Sequence, residues 1–389
     1  MPSLVAVELT GPRFVEALTR AWAAGDAVLP VDPRLPRPAA LRLLEALRPS
    51  WVLGQDGVGH RRAGGRPVEP DDALVVATSG TTGSPKGVVL SHAALAASAE
   101  ATSARLGVDP ATDHWLACLP LAHVGGLSVV TRALLTGTRL TVHERFASAD
   151  VMAAGRATDG PTLVSLVATA LARVDPALFR IVVLGGGPPP SGGVAANTVI
   201  TYGLTETGSG VVYDGRALDG VSVRIDGSGE ILLRGPMLGR AYRGPDGDVA
   251  IVDDDGWLAT GDAGTLGDDG RLVVFGRFTE VINTGGEKVW PAAVEPILRR
   301  HPSVGDAAVV GLADAEWGER VVAVVVLSTP GGRRPTLDEL RDLVRAELPA
   351  YAAPAQVVIV DALPVTPLGK LRRGAAARLA GGPGAESVP

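Results

Sequence analysis

The chain has 389 residues, of which 46% are hydrophobic and 20% are charged, and its formal net charge is −6. At roughly 150 residues per domain, this length predicts two or three domains, and the apolar content excludes general disorder. The mild negative charge argues against a nucleic-acid-binding protein, and the single cysteine, Cys118, excludes a disulfide framework. The N-terminus lacks a basic start and no apolar run is long enough to cross a bilayer, so we expect a cytoplasmic protein.

The first half of the chain predicts an α/β fold. Residues 1–70 predict a helix, a short strand and a second helix, at 12–24, 27–30 and 38–47. Strands then alternate with helices, with strands at 73–78, 114–119, 139–143 and 179–184 and helices at 92–106 and 127–135. This alternation predicts mostly parallel sheets, whose ligand sites lie in the loops after the carboxyl ends of the strands.

The second half predicts two further units. Short strands between Asp/Gly turns, at 221–225, 230–234, 248–252 and 271–275, predict a small antiparallel barrel or sheet within the large domain. Helices then return at 291–300 and 336–347, with strands at 306–311, 320–327 and 356–360, which predicts a separate α+β module. We therefore expect a large domain over 1–276, a small one over 281–379 and a disordered tail over 380–389.

The loop after the strand at 73–78 carries the strongest chemical signal. It contains three glycines and no acidic residue, and its candidate binding residues are Thr78, Ser79, Gly80, Thr81, Thr82, Gly83 and Lys86. Glycines let backbone N–H groups approach an anion, hydroxyls donate to phosphate oxygens, and the lysine adds charge. The order does not fit G-x-x-x-x-G-K-[ST], so the loop predicts phosphate binding of another kind than in P-loop kinases and GTPases.

Lysine is scarce in this chain and its positions support that interpretation. Only three of the 36 basic residues are lysines, namely Lys86, Lys288 and Lys370, and all lie in or next to glycine-containing loops. Lysine is a compact point charge, whereas arginine is a planar fork. We interpret Lys86 and Lys370 as positions that need the compact charge of lysine, and Lys288 as a weaker candidate for the same interpretation.

Residues 78–87 read T-S-G-T-T-G-S-P-K-G and resemble the signature loop of the adenylate-forming superfamily, which includes acyl-CoA synthetases, luciferases and peptide-synthetase adenylation domains. Further elements follow in the same order, so the resemblance spans about residues 70–375. It implies a large N-terminal domain, a small mobile C-terminal domain, and ATP and Mg²⁺ as cofactors. The glycine loop would then hold the phosphates of ATP.

The element at 201–207, T-Y-G-L-T-E-T, resembles the Y-G-x-T-E element of that superfamily. A carboxylate beside a nucleotide suits Mg²⁺, a hard cation that takes one or two carboxylates together with phosphate oxygens. The resemblance therefore assigns Glu206 to the metal, Thr205 to the neighbourhood of the α-phosphate, and Tyr202, next to Gly203, to the adenine ring.

Two more elements complete the nucleotide site that the resemblance implies. The backbone of Gly185, Gly186 and Gly187, after the strand at 179–184, would line the adenine. In the T-G-D element Asp262 would accept hydrogen bonds from the ribose hydroxyls, because a carboxylate is a pure acceptor. Arg277 would contact ribose or phosphate.

The C-terminal elements imply a hinge and a lid. Residues 276–282 resemble the superfamily hinge G-R-x-D-[DE]-x-I, which places the hinge at 277–280, but Thr279 stands at the usual aspartate position with Glu280 beside it. The pivot could therefore be either residue. The loop with Gly285 and Gly286 resembles the one that forms the pantetheine channel for coenzyme A. Lys370, in the P-x-x-x-x-G-K-x-x-R element, would bridge the substrate carboxylate and the α-phosphate.

The short stretch before the glycine loop, together with residues 120–128 and 212–220, resembles short bacterial o-succinylbenzoate–CoA ligases of menaquinone biosynthesis. That resemblance implies a two-step ligase for a small carboxylic acid, with His123 at the acyl pocket. A second substrate carboxylate needs a cation, for which Arg132 is one candidate. Many relatives are dimers, which allows a homodimer.

Three alternatives remain open at this point. One is a ligase for another aryl or acyl acid, and another is a stand-alone adenylation enzyme that loads a carrier protein. The third, a catalytically dead nucleotide sensor, is disfavoured because Lys370, Glu206 and Asp262 are all present.

Overall fold

The structure is a computed structural model that describes residues 1–78, 85–190, 193–365, 371–382 and 387–388. Its helices are α1 (Gly11–Ala23), α2 (Arg37–Leu47), α3 (His92–Leu106), α4 (Val124–Thr136), α5 (Ser148–Arg156), α6 (Ala168–Leu171), α7 (Pro291–Leu298), α8 (Leu337–Arg345) and α9 (Arg373–Gly381). Its strands are β1 (Leu4–Val7), β2 (Ala27–Pro30), β3 (Trp51–Leu53), β4 (Gly59–Arg61), β5 (Asp72–Thr78), β6 (Lys86–Ser91), β7 (His114–Ala117), β8 (Arg139–Val142), β9 (Leu163–Val167), β10 (Ile181–Gly185), β11 (Thr198–Gly203), β12 (Gly210–Tyr213), β13 (Arg216–Ala217), β14 (Ser222–Ile225), β15 (Glu230–Arg234), β16 (Ala241–Gly244), β17 (Gly247–Ala250), β18 (Leu258–Leu266), β19 (Leu272–Arg277), β20 (Ile282–Thr284), β21 (Glu287–Val289), β22 (Val304–Asp314), β23 (Gly318–Leu327), β24 (Gln356–Ile359) and β25 (Ser387–Val388).

Two large sheets form the centre of the N-terminal part. One has eight strands in the order β17-β16-β6-β5-β2-β1-β3-β4, and the other has seven in the order β13-β12-β11-β10-β9-β7-β8. Strands pair in parallel in the middle of each sheet. They pair antiparallel at both ends of the eight-stranded sheet and at the β13 end of the seven-stranded sheet. The predicted α/β class with mostly parallel sheets in a large domain is confirmed.

A four-stranded antiparallel sheet, β14-β15-β18-β19, forms the small β part of the large domain. Three of its strands were predicted, but the fourth predicted strand, at 248–252, was assigned to the wrong sheet. That segment forms β17, which pairs with β16 at the edge of the eight-stranded sheet. The place in the small sheet is taken by β18, which pairs with both β15 and β19.

The C-terminal part has its own sheet, in which β22 and β23 form a long antiparallel hairpin and β24 pairs in parallel with β23. Each hydrophobic cluster among the described residues lies either within residues 4–272 or within residues 282–380, and none of them combines residues from both ranges. Within the tail predicted to be disordered, α9 reaches Gly381 and β25 pairs with β24, whereas residues 383–386 and 389 lie outside the described part. No helix in the described ranges is long and apolar enough to span a membrane.

A buried arginine ties the β17 end of the eight-stranded sheet to the loops beside it. Arg243 of β16 is 1% exposed, and its guanidinium donates to the backbone carbonyls of Leu47, Pro67 and Arg66. Burial lowers the pKa of this group to about 10. Because buried carbonyls must find donors, these bonds hold β16 and β6 in place, and both strands carry residues of the candidate site.

Candidate active site

The predicted phosphate loop begins at Thr78, the last residue of β5, and its far end enters β6 at Lys86. These two residues face each other on the antiparallel ladder, and the Thr78 hydroxyl lies 3.4 Å from the Lys86 carbonyl oxygen, to which it donates. The ends of the loop are therefore held together at one edge of the sheet. Ser79, Gly80, Thr81, Thr82 and Gly83 lie outside the described residues.

Lys86 and Glu206 meet at a third side chain, Tyr242 of β16. The Lys86 ammonium lies 5.8 Å from the centre of the Tyr242 ring. The Tyr242 hydroxyl donates a 2.8 Å hydrogen bond to Oε1 of Glu206. The structure thus brings together the predicted phosphate-binding lysine and the predicted metal-binding carboxylate.

Glu206 and Thr205 lie in a short 3-10 turn, Thr205–Thr207, directly after β11. The turn is held from inside by Thr207, whose hydroxyl accepts from the Leu204 N–H and donates to the carbonyl oxygen of Ser209. Gly203 precedes the turn, and a Cβ there would lie 2.2 Å from the Ser209 carbonyl oxygen. Only glycine fits at this close approach, so the backbone that presents Thr205 and Glu206 is tightly specified.

A second tyrosine–carboxylate pair lies close by. The Tyr202 hydroxyl donates to Asp262 Oδ2 at 2.8 Å, and the Arg277 guanidinium lies 2.8 Å from Asp262 Oδ1. Asp262 is only 6% exposed, and Arg277 also donates to the Thr260 carbonyl oxygen. The predicted adenine, ribose and phosphate residues therefore converge on one carboxylate.

The two pairs share one electrostatic environment. Burial, and then the negative charge of Asp262, raise the pKa of Tyr202. Burial, and then Glu206, raise the pKa of Tyr242 in the same way. The Arg277 charge opposes both increases in pKa, so one guanidinium acts on both tyrosines, which remain protonated hydrogen-bond donors at neutral pH.

The predicted adenine-lining glycines follow β10, next to the start of this region. Gly186 has φ of +82°, which favours glycine. A Cβ at Gly185 would lie 2.9 Å from Oγ1 of Thr201, the residue before Tyr202, whereas Gly187 faces open space. The strand ends that carry the glycines and Tyr202 are thus packed side by side.

His123 is the N-cap residue of α4, but its side chain makes no capping hydrogen bond. The residue is solvent-accessible, but partial burial by the surrounding protein lowers the pKa of the imidazole. Asp32 acts in the opposite direction and Arg34 in the same direction as burial. A neutral ring that is not used for capping is available to a ligand at neutral pH.

Arg132 of α4 is 3% exposed and has no acidic partner among the described residues. Its Nη2 donates to the Ser209 hydroxyl at 2.9 Å, and its guanidinium lies 4.9 Å from the ring centre of Trp115. Its Nε and Nη1, as well as Trp115 Nε1, are buried without an acceptor in the part of the chain that the structure describes. Burial lowers the pKa of Arg132. A buried charge whose hydrogen bonds are incomplete is unfavourable for folding, so we expect this side chain to lower the stability of the protein.

A magnesium ion fits the residues present. Within the described ranges there is no group of three or more His, Cys, Asp or Glu side chains that could hold a metal by themselves. Mg²⁺ does not need one, because it keeps waters and takes substrate phosphates with one or two carboxylates. Glu206, whose Oε1 is fixed by Tyr242, supplies such a carboxylate beside Lys86.

Three other predicted residues belong to the C-terminal part of the chain. Gly285 and Gly286 form the turn between β20 and β21, where the Gly285 N–H donates to the Trp317 carbonyl oxygen. Lys370 lies outside the described residues. Tyr242 was not predicted at all. The chain has four tyrosines, and this scarcity was the one available signal, since two of the four lie in the site.

Two family models match this chain. The model for the AMP-binding enzyme matches residues 56–273, and that for the AMP-binding enzyme C-terminal domain matches residues 293–370. The chain belongs to the AMP-binding enzyme family. The predicted resemblance to the adenylate-forming superfamily is thereby confirmed.

Named relatives of this AMP-binding enzyme span most of the chain. A probable 2-succinylbenzoate–CoA ligase from Mycobacterium tuberculosis is 41% identical over 365 residues, which cover 88% of this chain and 94% of the relative. A 2-succinylbenzoate–CoA ligase from Bacillus cereus is 34% identical over 77% of this chain and 68% of its own length. The solved o-succinylbenzoate CoA synthetase (MenE) from Bacillus subtilis, in complex with the acyl-adenylate intermediate OSB-AMP, superimposes with a TM-score of 0.81 at 28% identity. That superposition covers 96% of this chain and 87% of the synthetase. The same synthetase has been solved with ATP and a magnesium ion.

In this AMP-binding enzyme, Tyr202→Phe is expected to weaken ATP binding by about three- to tenfold, because Asp262 loses the neutral donor that orients it. Isothermal titration calorimetry with ATP measures the effect. Tyr351→Phe, at a 42% exposed tyrosine of the small domain, is the matched control and should bind ATP as the wild type does. Equal affinities for both variants would contradict a nucleotide role for the Tyr202–Asp262 pair.

Proposed function

We propose that this protein is an AMP-forming ligase that joins o-succinylbenzoate to coenzyme A, with consumption of ATP and release of AMP and pyrophosphate. The names of the relatives that span most of its length support this activity, which belongs to menaquinone biosynthesis. The observation that carries the choice of a dicarboxylic acid is Arg132, a buried cation with two nitrogens, Nε and Nη1, that find no acceptor among the described residues. A second substrate carboxylate would satisfy them.

In the first step the substrate carboxylate attacks the α-phosphorus of ATP. The new bond joins a carboxylate oxygen to phosphorus, and the bond to the β-phosphate breaks to release pyrophosphate. Catalysis of phosphoryl transfer is mainly positioning and electrostatic stabilisation. We assign the phosphates to the loop residues 79–83 with Thr78 and Lys86, and the α-phosphate to Thr205 and Lys370.

The remaining site residues hold the other parts of the substrates. Tyr202 and the backbone of residues 185–187 would bind adenine, and Asp262 with Arg277 would bind ribose. Glu206 would hold Mg²⁺, which neutralises phosphate charge when bound. His123 would border the acyl pocket, whose far end we assign to Arg132.

In the second step the thiolate of coenzyme A attacks the acyl carbon, a carbon–sulfur bond forms, and AMP leaves. We propose that the domain at 281–379, with Gly285 and Gly286, turns about the hinge at 277–280 to form the pantetheine channel. Arg277, at one end of the hinge, is bound to Asp262, whereas Glu280, at the other end, is bound to Arg373 of α9 at 3.1 Å. Because the two ends of the hinge are bound to different partners, we expect the backbone to rotate between them, which supports Thr279 rather than Glu280 as the pivot residue.

The test is pyrophosphate exchange with a panel of acids, followed by mass spectrometry of products with coenzyme A present. We expect the fastest exchange with o-succinylbenzoate, and a coenzyme A thioester as product. Faster exchange with a fatty acid would point to another acyl-CoA ligase, and transfer only to a carrier protein would point to a stand-alone adenylation enzyme. No exchange with any acid would contradict the proposal.

Two further parts of the proposal concern the cell rather than the site. We place the reaction in the cytoplasm, because ATP and coenzyme A are both available there. That the protein forms a homodimer stays a prediction. Sedimentation velocity on the purified protein would measure its oligomeric state directly.

A further inference from the structure

Tyr242 contacts both Lys86 and Glu206, the two charged residues of the predicted phosphate and metal site. The Lys86 ammonium lies over its ring, 5.8 Å from the centre, and its hydroxyl donates to Glu206 Oε1 at 2.8 Å. Both charged residues therefore contact the same neutral side chain. Within the described part of the chain, no ion pair joins Lys86 to Glu206.

The backbone around Tyr242 is fixed relative to both partners. Tyr242 pairs with Val88 in the antiparallel ladder of β16 and β6, two residues beyond Lys86. Three residues before Tyr242, the Gly239 N–H donates to the Glu206 carbonyl oxygen at 2.7 Å. The segment 239–242 thus holds both the main chain and the side chain of Glu206, and it lies beside β6, the strand that continues from the phosphate loop.

Without such a spacer, the two charges would tend to pair with each other. A lysine and a glutamate at contact distance attract each other, and the attraction is stronger in a partly buried site than in water. A direct pair would occupy the lysine charge that the phosphates need and the carboxylate oxygen that the metal needs. The Tyr242 hydroxyl is the donor in this contact, because a carboxylate oxygen can only accept.

We propose that Tyr242 is a positioning residue for Mg²⁺·ATP. Its hydroxyl fixes Oε1 of Glu206 and so presents Oε2 to the metal, while its ring keeps Lys86 apart from Glu206 and available to phosphate. The proposal rests on the proposed function, in which Glu206 binds Mg²⁺ and Lys86 binds ATP. It adds a role for a residue that touches neither reacting atom.

The test is calorimetric titration of ATP into the full-length enzyme, first without divalent cation and then at a series of Mg²⁺ concentrations. In Tyr242→Phe the ring stays and the hydroxyl is lost. We expect ATP affinity without Mg²⁺ to be unchanged, and the Mg²⁺ concentration for half-maximal enhancement to rise about tenfold, as is common when the partner of a metal ligand is removed. In a Glu206→Gln background the same substitution should have no further effect.

Two variants make the test specific. Tyr202→Phe, which also removes a tyrosine hydroxyl from a carboxylate, should weaken ATP binding to the same extent with and without Mg²⁺. Tyr242→Leu removes the ring as well, so it should also weaken ATP binding without Mg²⁺ as Lys86 pairs with Glu206. If Tyr242→Phe folds poorly, the Tyr242→Leu titration alone still decides whether the ring protects Lys86.

The outcomes separate this inference from the proposed function. If wild-type ATP binding shows no dependence on Mg²⁺, the assignment of the site itself is wrong. If the wild type depends on Mg²⁺ and both Tyr242 variants match it, only the positioning role is wrong. If Tyr242→Phe lowers the Mg²⁺ response of the Glu206→Gln variant further, the positioning role is also wrong, because Tyr242 would then act through another group.

Discussion

Replacement of Lys370 by alanine is expected to lower pyrophosphate exchange by about 10²- to 10³-fold, the usual effect of removing one preorganised electrostatic group from a transition state. Charge builds up on the α-phosphate and the incoming carboxylate in the first step, and a lysine that bridges them stabilises that charge. Thioester formation from supplied acyl-adenylate does not pass through that step. It should therefore keep most of its wild-type rate, as measured by release of AMP on addition of coenzyme A.

Lys288→Ala is the matched control, because it removes the same charge from the same part of the chain. Lys288 is exposed on β21, with its ammonium 5.6 Å from the ring centre of Phe278, and pyrophosphate exchange should survive its loss. Equal losses of adenylate and thioester formation in Lys370→Ala would contradict the assigned role, and so would equal losses of exchange in the two lysine variants.

Elements with local start and stop signals were predictable from the sequence. The helix predicted at 92–106 is α3, with the same bounds. The Ser91 hydroxyl accepts from the Ala94 N–H at its start, and Gly107 ends it with φ of +56°. Both signals act within one helical turn of the residues they limit, so they need no knowledge of the rest of the fold.

Elements that exist through distant pairing were not predictable in this way. Strand β18 contains Gly261, Asp262 and Gly264, which in isolation indicate a turn, yet it pairs with a strand on each side. The segment at 248–252 forms a hairpin with the neighbouring strand β16, but nothing local indicates that β16 in turn pairs with β6, which places the hairpin in the eight-stranded sheet. Pairing between distant strands decides both cases, and a residue pattern does not contain it.

The residues of the candidate site also fall into two groups, those found from local sequence and those brought together by other parts of the fold. Glu206 and Asp262 are found by motif, because the chemistry needs a carboxylate at that point of the chain. Their partners Tyr242 and Arg277 are brought to them by other strands. For Arg132 the sequence supplied only a candidate cation, and the missing acceptors that distinguish it appear only once the side chain is seen to be buried.

Arg132→Met is expected to lower kcat/KM for o-succinylbenzoate by about 10²-fold, because removal of one partner of a buried charge pair costs roughly 2–5 kcal/mol. The rate with 4-oxo-4-phenylbutanoate, the same acid without the ring carboxylate, should hardly change. Arg173→Met is the control, since Arg173 is an exposed arginine stacked on Phe146 at 5.5 Å from the ring centre, and it should leave both rates as they are.

The stability of the same variant separates a binding role from a structural one. A buried cation that lacks acceptors disfavours the folded state, and its replacement by an apolar side chain of similar length is commonly neutral or stabilising by about 1–4 kcal/mol. Arg132→Met should thus resist urea at least as well as the wild type when no acid is bound, and should lose the stabilisation that o-succinylbenzoate gives the wild type. A less stable ligand-free variant with unchanged discrimination between the two acids would show that Arg132 serves the core, and the dicarboxylic acid would have to be recognised elsewhere.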